Sequence, residues 1–379
     1  MQSTRRLTMV ISLVGTLGLL PAGAGAAPPA VRYVDTHAHL EPTPSTSTCD
    51  LAAAEADALV AMETLGIRLT VVMSAPTSTV TDCGDSPDLA AVVGHHPDRF
   101  AFLGGGGTLN PMIQSAADAS LLEVTALDIL TAGAVGFGEV AAEHFSFRAG
   151  QPYLSTPPDH PLFLLLAEIA GRYGVPIDLH MEALSADTPR SALPLPLSTD
   201  NPDVLPENIS ALERLLAHNR DARIVWAHAG WDNTGQRTIP LMRRLLHDHP
   251  NLYMNVKIRN PRISTALVRP NSPVDENGVV DPDWVALLSE FPTRFVIGTD
   301  AKYVETSPSF FDLTRAFLDA LPPGIASLVG EKNAVAVYNL DRTLVCHRPG
   351  TRAARSMLVV TRALSSHLGH GDQRGPCRD

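Results

Sequence analysis

The chain has 379 residues, 45% hydrophobic and 18% charged, which allows one large domain or two smaller ones and excludes a largely disordered chain. Its formal net charge is -11. A chain this acidic is repelled by phosphate backbones, which argues against nucleic acid as a partner.

Residues 1–26 resemble a signal peptide. Arg5 and Arg6 precede an apolar run over 7–20, and small residues near Ala26 offer a cleavage site. The alternative is a membrane anchor, but the run is shorter than the roughly 20 residues that a span needs. We therefore expect an exported chain, periplasmic or secreted, with no stable membrane anchor after cleavage.

Eight short apolar runs follow and predict buried parallel strands. They cover 31–37, 69–75, 100–106, 133–140, 175–181, 223–229, 252–258 and 294–300. Segments with helical spacing alternate with them, as at 51–65, 161–173 and 204–218. This alternation predicts an α/β fold, a (β/α)8 TIM barrel over 27–348. A doubly wound sheet is the alternative, but no G-x-G-x-x-G follows the first strand.

Two segments rich in Pro, Ser, Asn and Asp predict long loops, at 184–203 after the fifth strand and at 259–282 after the seventh. In a barrel both would emerge at the face that carries active sites. The tail at 349–379 is predicted to add one helix at most.

Polar residues that can bind metal fall at the predicted strand ends. His37 and His39 lie two residues apart in "VDTHAHL", so on a strand they face the same side. Four further residues end strands four, five, six and eight, respectively: Glu139, His180, His228 and Asp300. In a closed barrel these ends form one ring, and burying such side chains without partners would be costly. The pattern predicts a metal site built from all six.

Each residue also has a simpler interpretation. Asp300 could cap a helix, Glu139 could be a surface or capping carboxylate, and His228 could hydrogen-bond to a ligand instead of binding metal. Lys257, Trp231, Arg259 and Lys302 lie just past strand ends. They could grip a substrate carboxylate or oxyanion, or be structural or solvated residues.

The four cysteines form no C-x-x-C pair, which argues against a zinc knuckle. An even number in an exported protein permits two disulfides, although four free thiols remain the alternative. Cys49 and Cys83 follow neighbouring strands one and two, so we predict that they bridge, and that Cys346 and Cys377 pair likewise.

The motifs "DTHAHL", "PIDLHM", "IVWAHAGW", "RFVIGTD" and "EKNAVAVYNL" together resemble the amidohydrolase superfamily over residues 31–342. The chain is most similar to the group that includes aminocarboxymuconate semialdehyde decarboxylase and several lactone-type hydrolases. One motif departs from the decarboxylase branch, since "GFGEV" puts Glu139 where binuclear members carry a bridging carboxylate. A similar glycine-glutamate motif occurs in the superfamily's deoxyribonuclease branch. The resemblance therefore does not decide whether the site holds one metal ion or two.

Histidine and carboxylate ligands suit Zn²⁺ best, with Mn²⁺ or Fe²⁺ as alternatives. A bound divalent ion lowers the pKa of its water to about 7. Asp300 and His228 are the candidate catalytic residues, Asp300 as a base that passes a proton to the leaving group. The expected function is hydrolysis of a C–O or C–N bond in a small-molecule lactone, ester or amide. A non-oxidative decarboxylase and a non-catalytic metal-binding barrel are the alternatives, and a homo-oligomer stays open.

Overall fold

The computed structural model describes residues 32–42, 49–81, 83–259, 269–304 and 311–378. The predicted signal peptide at 1–26 lies outside the described residues, as does the stretch 260–268 of the second predicted loop. Within the described ranges, no helix is long and apolar enough to cross a membrane.

Eight strands form the barrel. They are β1 Tyr33–Leu40, β2 Ile67–Val72, β3 Phe100–Phe102, β4 Phe137–His144, β5 Pro176–Met181, β6 Arg223–Ala229, β7 Leu252–Val256 and β8 Phe295–Ile297. Neighbours pair in parallel in the order β3, β2, β1, β8, β7, β6, β5, β4. The short strand Gly104–Gly105 continues β3 and pairs in parallel with β4, which closes the ring. The predicted eight-stranded barrel is thus confirmed.

The strands are largely apolar because both of their faces are covered. Along β6, Ile224 belongs to the large core shared with the surrounding helices, whereas Val225 belongs to a separate cluster that fills the barrel. The same alternation relates Phe295 to Val296 on β8. Since period 2 sends successive residues to opposite faces, β6 and β8 each contribute to both cores.

The α-helices lie mainly between the strands. Their bounds are Ala52–Leu65, Ser86–His95, Leu109–Gln114, Ala119–Thr131, Pro161–Tyr173, Ile209–His218, Ile239–Asp248, Pro282–Glu290, Leu313–Ala320, Pro323–Ser327, Asn333–Val337 and Leu364–Gly369. A π-helical turn spans Leu328–Lys332. Two predicted helices agree within one residue, but the one predicted at 204–218 begins only at Ile209. Its first residues, Val204–Leu205, instead pair with Thr188–Pro189 in the long loop after β5.

The fourth strand differs most from its prediction. It begins at Phe137 and runs on to His144, because its second half pairs with β5 and with the short strand Leu154–Ser155. Glu139 is therefore the third residue of the strand instead of lying at its end.

The tail forms a small antiparallel sheet. Strand β9, Arg342–His347, pairs with β10, Arg355–Val360, and with β11, Gln373–Arg374. The predicted tail helix is present at Leu364–Gly369, but the prediction missed the two strands beside it. The short apolar run "MLVV" at the end of β10 is the strand signal. Val359 of this run packs with Val345 and Leu364.

Both predicted disulfides are formed. The Cα atoms of Cys49 and Cys83 lie 5.2 Å apart, and those of Cys346 and Cys377 lie 4.6 Å apart. The first bridge ties the loop after β1 to the loop after β2, and the second ties β9 to the end of the tail.

Candidate metal centre

Six polar side chains converge inside the barrel. They are His37 and His39 on β1, Glu139 on β4, His180 on β5, His228 on β6 and Asp300, three residues after β8. His180 and Asp300 are partly exposed and the other four are buried. The structure therefore brings together every residue for which the sequence predicts metal binding.

Glu139 lies at the centre of this cluster and divides the histidines into two pairs. Its Oε2 atom is 3.5 Å from Nε2 of His37 and 3.5 Å from Nε2 of His39. Its Oε1 atom is 2.6 Å from Nδ1 of His180 and 3.2 Å from Nε2 of His228. One carboxylate thus presents one oxygen to each histidine pair. The interpretation of Glu139 as a surface carboxylate is wrong, because its side chain is 3% exposed.

Asp300 completes the group around His37 and His39. Its Oδ1 atom lies 3.1 Å from Nε2 of His39 and 4.0 Å from Nε2 of His37. Oδ2 accepts a hydrogen bond from Nζ of Lys257. Ala301–Tyr303, directly after Asp300, is a strand that pairs with β1, so Asp300 does not begin a helix as a cap.

Two of the six residues adopt left-handed backbone conformations. The φ angle is 63° at His228 and 53° at Asp300, where residues other than glycine are uncommon. Side-chain and backbone contacts hold both turns: His228 N donates to Oδ1 of Asn255 at 2.6 Å, and Asp300 N donates to the carbonyl of His37 at 2.8 Å. These turns direct the two side chains into the cluster.

Buried charges determine how these groups ionise. Burial acts to raise the pKa of Glu139, but the facing His37 and hydrogen bonds from His180 and His228 hold that pKa well below its usual value. Burial opposes charge on His37, yet the carboxylates of Asp178 and Glu139 raise its pKa well above the ordinary range. The carboxylates therefore favour positive charge among the histidines, which protons or a divalent ion can supply.

The donor atoms fit a transition metal. Nε2 of His37 is buried and has no hydrogen-bond partner, although it points at Glu139 and Asp300. Ligand atoms of His37, His39 and Asp300 lie within 4.8 Å of one another, and so do those of His37, Glu139 and His228. Imidazole nitrogens and carboxylate oxygens are the donors that Zn²⁺, Mn²⁺ and Fe²⁺ use.

Sequence reasoning missed the residues that hold the histidines in place. Oδ1 of Asp178 lies 3.1 Å from Nδ1 of His37, and Asn255 contacts both of these side chains at 3.3 Å. Nδ1 of His39 faces the carbonyl of Met73 at 2.9 Å. Such partners fix the tautomer and orientation of ligand histidines. The available signal was a polar residue inside an apolar run, as in "PIDLHM" and "LYMNVKI".

The predicted substrate-binding residues lie at the mouth of the cluster. A cavity of about 180 Å³ is lined by Lys257, Trp231 and Lys302 together with members of the cluster. Arg259 lies beside it, with Nη2 donating to the carbonyl of Asp300 at 3.2 Å. Lys257 contacts Asp300 directly, so its charge is already paired within the protein.

Three cationic side chains lie close to the ring of Trp231. The distances to the ring centroid are 4.9 Å from Nζ of Lys257, 5.3 Å from Cζ of Arg259 and 4.7 Å from Cζ of Arg269. Arg269 was not predicted as a site residue. This side of the mouth is positively charged in a protein that is acidic overall.

Comparison with solved structures finds the same architecture. An uncharacterized TIM-barrel protein from Bordetella bronchiseptica matches 82% of this chain and 99% of its own, with 16% identity and a TM-score of 0.51. A 2,6-dihydroxybenzoate decarboxylase from Rhizobium matches 82% of this chain and 99% of its own, with 16% identity and a TM-score of 0.46. A 4-oxalomesaconate hydratase from Rhodopseudomonas palustris matches 81% of this chain and 96% of its own, with 13% identity and a TM-score of 0.45. At 16% identity, the likeness to the Bordetella protein concerns the fold alone.

Comparison with curated proteins finds no significant match. A family model described as amidohydrolase, in contrast, matches residues 34–340. That stretch begins in β1 and ends after the last helix of the barrel, so it includes all six converging residues. The chain belongs to the amidohydrolase family, a family of metal-dependent enzymes.

Proposed function

We propose that this chain is an exported hydrolase that uses one or two divalent ions to cleave a lactone, ester or amide of a small molecule. The observation that supports it best is the position of Glu139, with one oxygen toward His37 and His39 and the other toward His180 and His228. A carboxylate in this position suits a pair of ions, as in two-metal hydrolytic sites.

In this proposal His37, His39 and Asp300 would hold one ion, His180 and His228 would hold the other, and Glu139 would serve as a ligand to both. Zn²⁺ is the preferred ion for these ligands. When bound, it would polarise a substrate carbonyl and make water reactive near neutral pH. A single ion held by His37, His39, His180 and Asp300 is the alternative, with His228 left to orient the substrate.

Asp300 is the proposed base. It accepts a proton from the attacking water and returns it to the leaving group, whose departure completes hydrolysis. Burial acts to raise the pKa of Asp300, but Lys257 and His228 hold that pKa well below its usual value. Asp300 is therefore ionised, and able to take a proton, throughout the neutral range.

The cations around Trp231 support a substrate that carries negative charge beside the scissile bond. Arg259 and Arg269 lie near the ring, and Lys302, on the strand Ala301–Tyr303, lines the cavity. Cation side chains at the edge of a small pocket attract and orient anions.

Export is proposed from two features. Residues 1–26 have the composition of a cleaved leader. The two disulfides are typical of proteins that mature in an oxidising compartment.

One experiment separates hydrolysis from decarboxylation. The purified protein is assayed in H₂¹⁸O against lactones, esters, amides and carboxylated aromatics, with its metal content measured by elemental analysis. Hydrolysis incorporates ¹⁸O into the product, and His37→Ala abolishes turnover and lowers the metal content. Replacement of the exposed His95 by alanine serves as the control and changes neither. Release of CO₂ without ¹⁸O incorporation would reject hydrolysis in favour of a non-oxidative decarboxylase.

A further inference from the structure

Three side chains converge in the tail sheet, outside the stretch that matches the family. His347 ends β9, His367 lies on the helix Leu364–Gly369, and Asp372 lies between that helix and β11. Nδ1 of His347 lies 2.9 Å from Oδ2 of Asp372, and Nδ1 of His367 lies 2.8 Å from the same oxygen. Two imidazoles thus face one carboxylate oxygen from different elements.

In this cluster the carboxylate is buried and the two imidazole rings are partly exposed to solvent. The side chain of Asp372 is 2% exposed, whereas those of His347 and His367 are 24% and 27% exposed. The backbone N–H of Arg348 donates to the other oxygen of Asp372 at 3.1 Å and fixes the carboxylate. A small ion can therefore approach from the side of the two histidine rings.

The surrounding chain holds these ligands in place. Cys346, next to His347, is bridged to Cys377, five residues beyond Asp372. Asp372 N also donates to the carbonyl of His367 at 3.1 Å, so the turn between them is closed. A site whose ligands are positioned before binding loses less entropy when the ion enters.

We propose that His347, His367 and Asp372 bind a divalent transition metal, with Zn²⁺ as the preferred ion. Two imidazole nitrogens and one carboxylate oxygen form a three-ligand set that leaves a fourth position for water. Their ligand atoms lie within 4.8 Å of one another. In tetrahedral Zn²⁺ sites with bonds of about 2.0–2.1 Å, ligand atoms lie about 3.3 Å apart. Each imidazole nitrogen therefore needs to move only slightly away from the carboxylate oxygen, from the present 2.9 and 2.8 Å. The ion links β9 to the tail helix and has no part in catalysis.

The test counts ions in the full chain. Protein stripped by a chelator is refilled with Zn²⁺, dialysed and analysed for metal per chain, for the unsubstituted protein and for His367→Ala, Asp372→Asn and His370→Ala. His370 is an exposed histidine three residues from His367 and outside the cluster, which makes it the matched control. His367→Ala and Asp372→Asn should each bind one ion fewer, while His370→Ala binds the full number.

Crystals of the unsubstituted protein soaked in Zn²⁺ give a readout that does not depend on any variant folding. Anomalous scattering should place a peak between His347, His367 and Asp372. The proposal is overturned if His367→Ala binds as many ions as the unsubstituted protein. It is equally overturned if the peak is absent while the barrel centre is filled. In either case the cluster is a hydrogen-bonded clamp.

Discussion

Lys257 and His39 contact opposite oxygens of the same carboxylate. Nζ of Lys257 donates to Oδ2 of Asp300, and Nε2 of His39 lies 3.1 Å from Oδ1. Lys257 is itself buried, and burial lowers its pKa to about 8 although Asp300 opposes this. The proposed base is thus coupled to a neighbouring cation within the barrel.

Replacement of this lysine should change the pH dependence of the reaction. Lys257→Met removes the positive charge that depresses the pKa of Asp300, so this pKa rises and Asp300 is protonated at higher pH. The acidic limb of the plot of kcat/KM against pH should therefore move to higher pH. Lys302→Met is the control, since Lys302 lines the same cavity but pairs with Glu41 at 3.8 Å. Superimposable acidic limbs for Lys257→Met and the unsubstituted protein would contradict the proposed role of Asp300.

Glu139→Gln distinguishes two ions from one. Glutamine keeps the size of the side chain but loses the charge that offsets two dications about 3.5–4 Å apart. If Glu139 bridges, the variant should contain one ion fewer per chain and lose at least about 100-fold in kcat, which is near 2.7 kcal/mol of barrier. Elemental analysis and steady-state kinetics measure both quantities. Unchanged metal content with near-normal turnover would favour the single-ion arrangement.

Asp178→Asn should weaken metal binding although Asp178 is not a proposed ligand. Its carboxylate lies 3.1 Å from Nδ1 of His37 and orients the ring. Loss of such a partner typically costs 10–100-fold in metal affinity, so we expect a loss of about that size in a titration against a competing chelator. Asp85 offers a matched control, because it is also buried but accepts from Gly105 N and Thr108 Oγ1 instead of from a histidine. Equal losses in both variants would point to general destabilisation.

Glu143 should make stability depend on pH. It is buried on β4, accepts hydrogen bonds from Tyr153 and Ser155, and burial raises its pKa from 4.5 to about 7. Its protonated form is favoured in the folded state, so its contribution to stability is complete below pH 4.5 and is lost as the pH rises through 7. Glu143→Gln cannot ionise and should avoid this loss.

The comparison uses urea unfolding at several pH values. The free energy of unfolding of Glu143→Gln, relative to the unsubstituted protein, should increase by on the order of 3 kcal/mol from pH 4.5 to above 7. Glu290→Gln, a change at an exposed ion pair with Arg243, should show no such increase. Parallel pH profiles for Glu143→Gln and the unsubstituted protein would contradict the prediction.

The two disulfides can be compared directly, because they join residues 34 and 31 positions apart. Removal of either pair by substitution with serine should cost roughly 3 kcal/mol in the free energy of unfolding. Only the pair Cys49 and Cys83 should also affect catalysis, since Cys83 lines a pocket together with His39. We expect roughly a tenfold loss in kcat/KM from misplacement at the mouth. Equal kcat/KM for both double variants would show that the first bridge does not position the site.

The sequence predicts the barrel and the six metal-binding residues at its strand ends because both follow from local patterns. Apolar runs mark the strands, and His37 and His39 mark a shared face. The contacts across the barrel do not follow from such patterns. Asp178 on β5 meets His37 on β1, 141 residues away, and only the closed ring makes them neighbours. Glu139 was predicted at a strand end because the pairing of the second half of β4 with β5 and Leu154–Ser155 does not follow from the local sequence either.

The left-handed turns at His228 and Asp300 have a consequence for directed evolution. Each such conformation costs an L-residue with a side chain on the order of 1–2 kcal/mol, which Gly or Asn largely avoids. A library selected for heat resistance alone would therefore accumulate Gly or Asn at these two positions. The selected variants would have more stable barrels, but their metal centre would lack His228 and Asp300. Thermal selection of this chain must be coupled to a screen for retained metal or turnover.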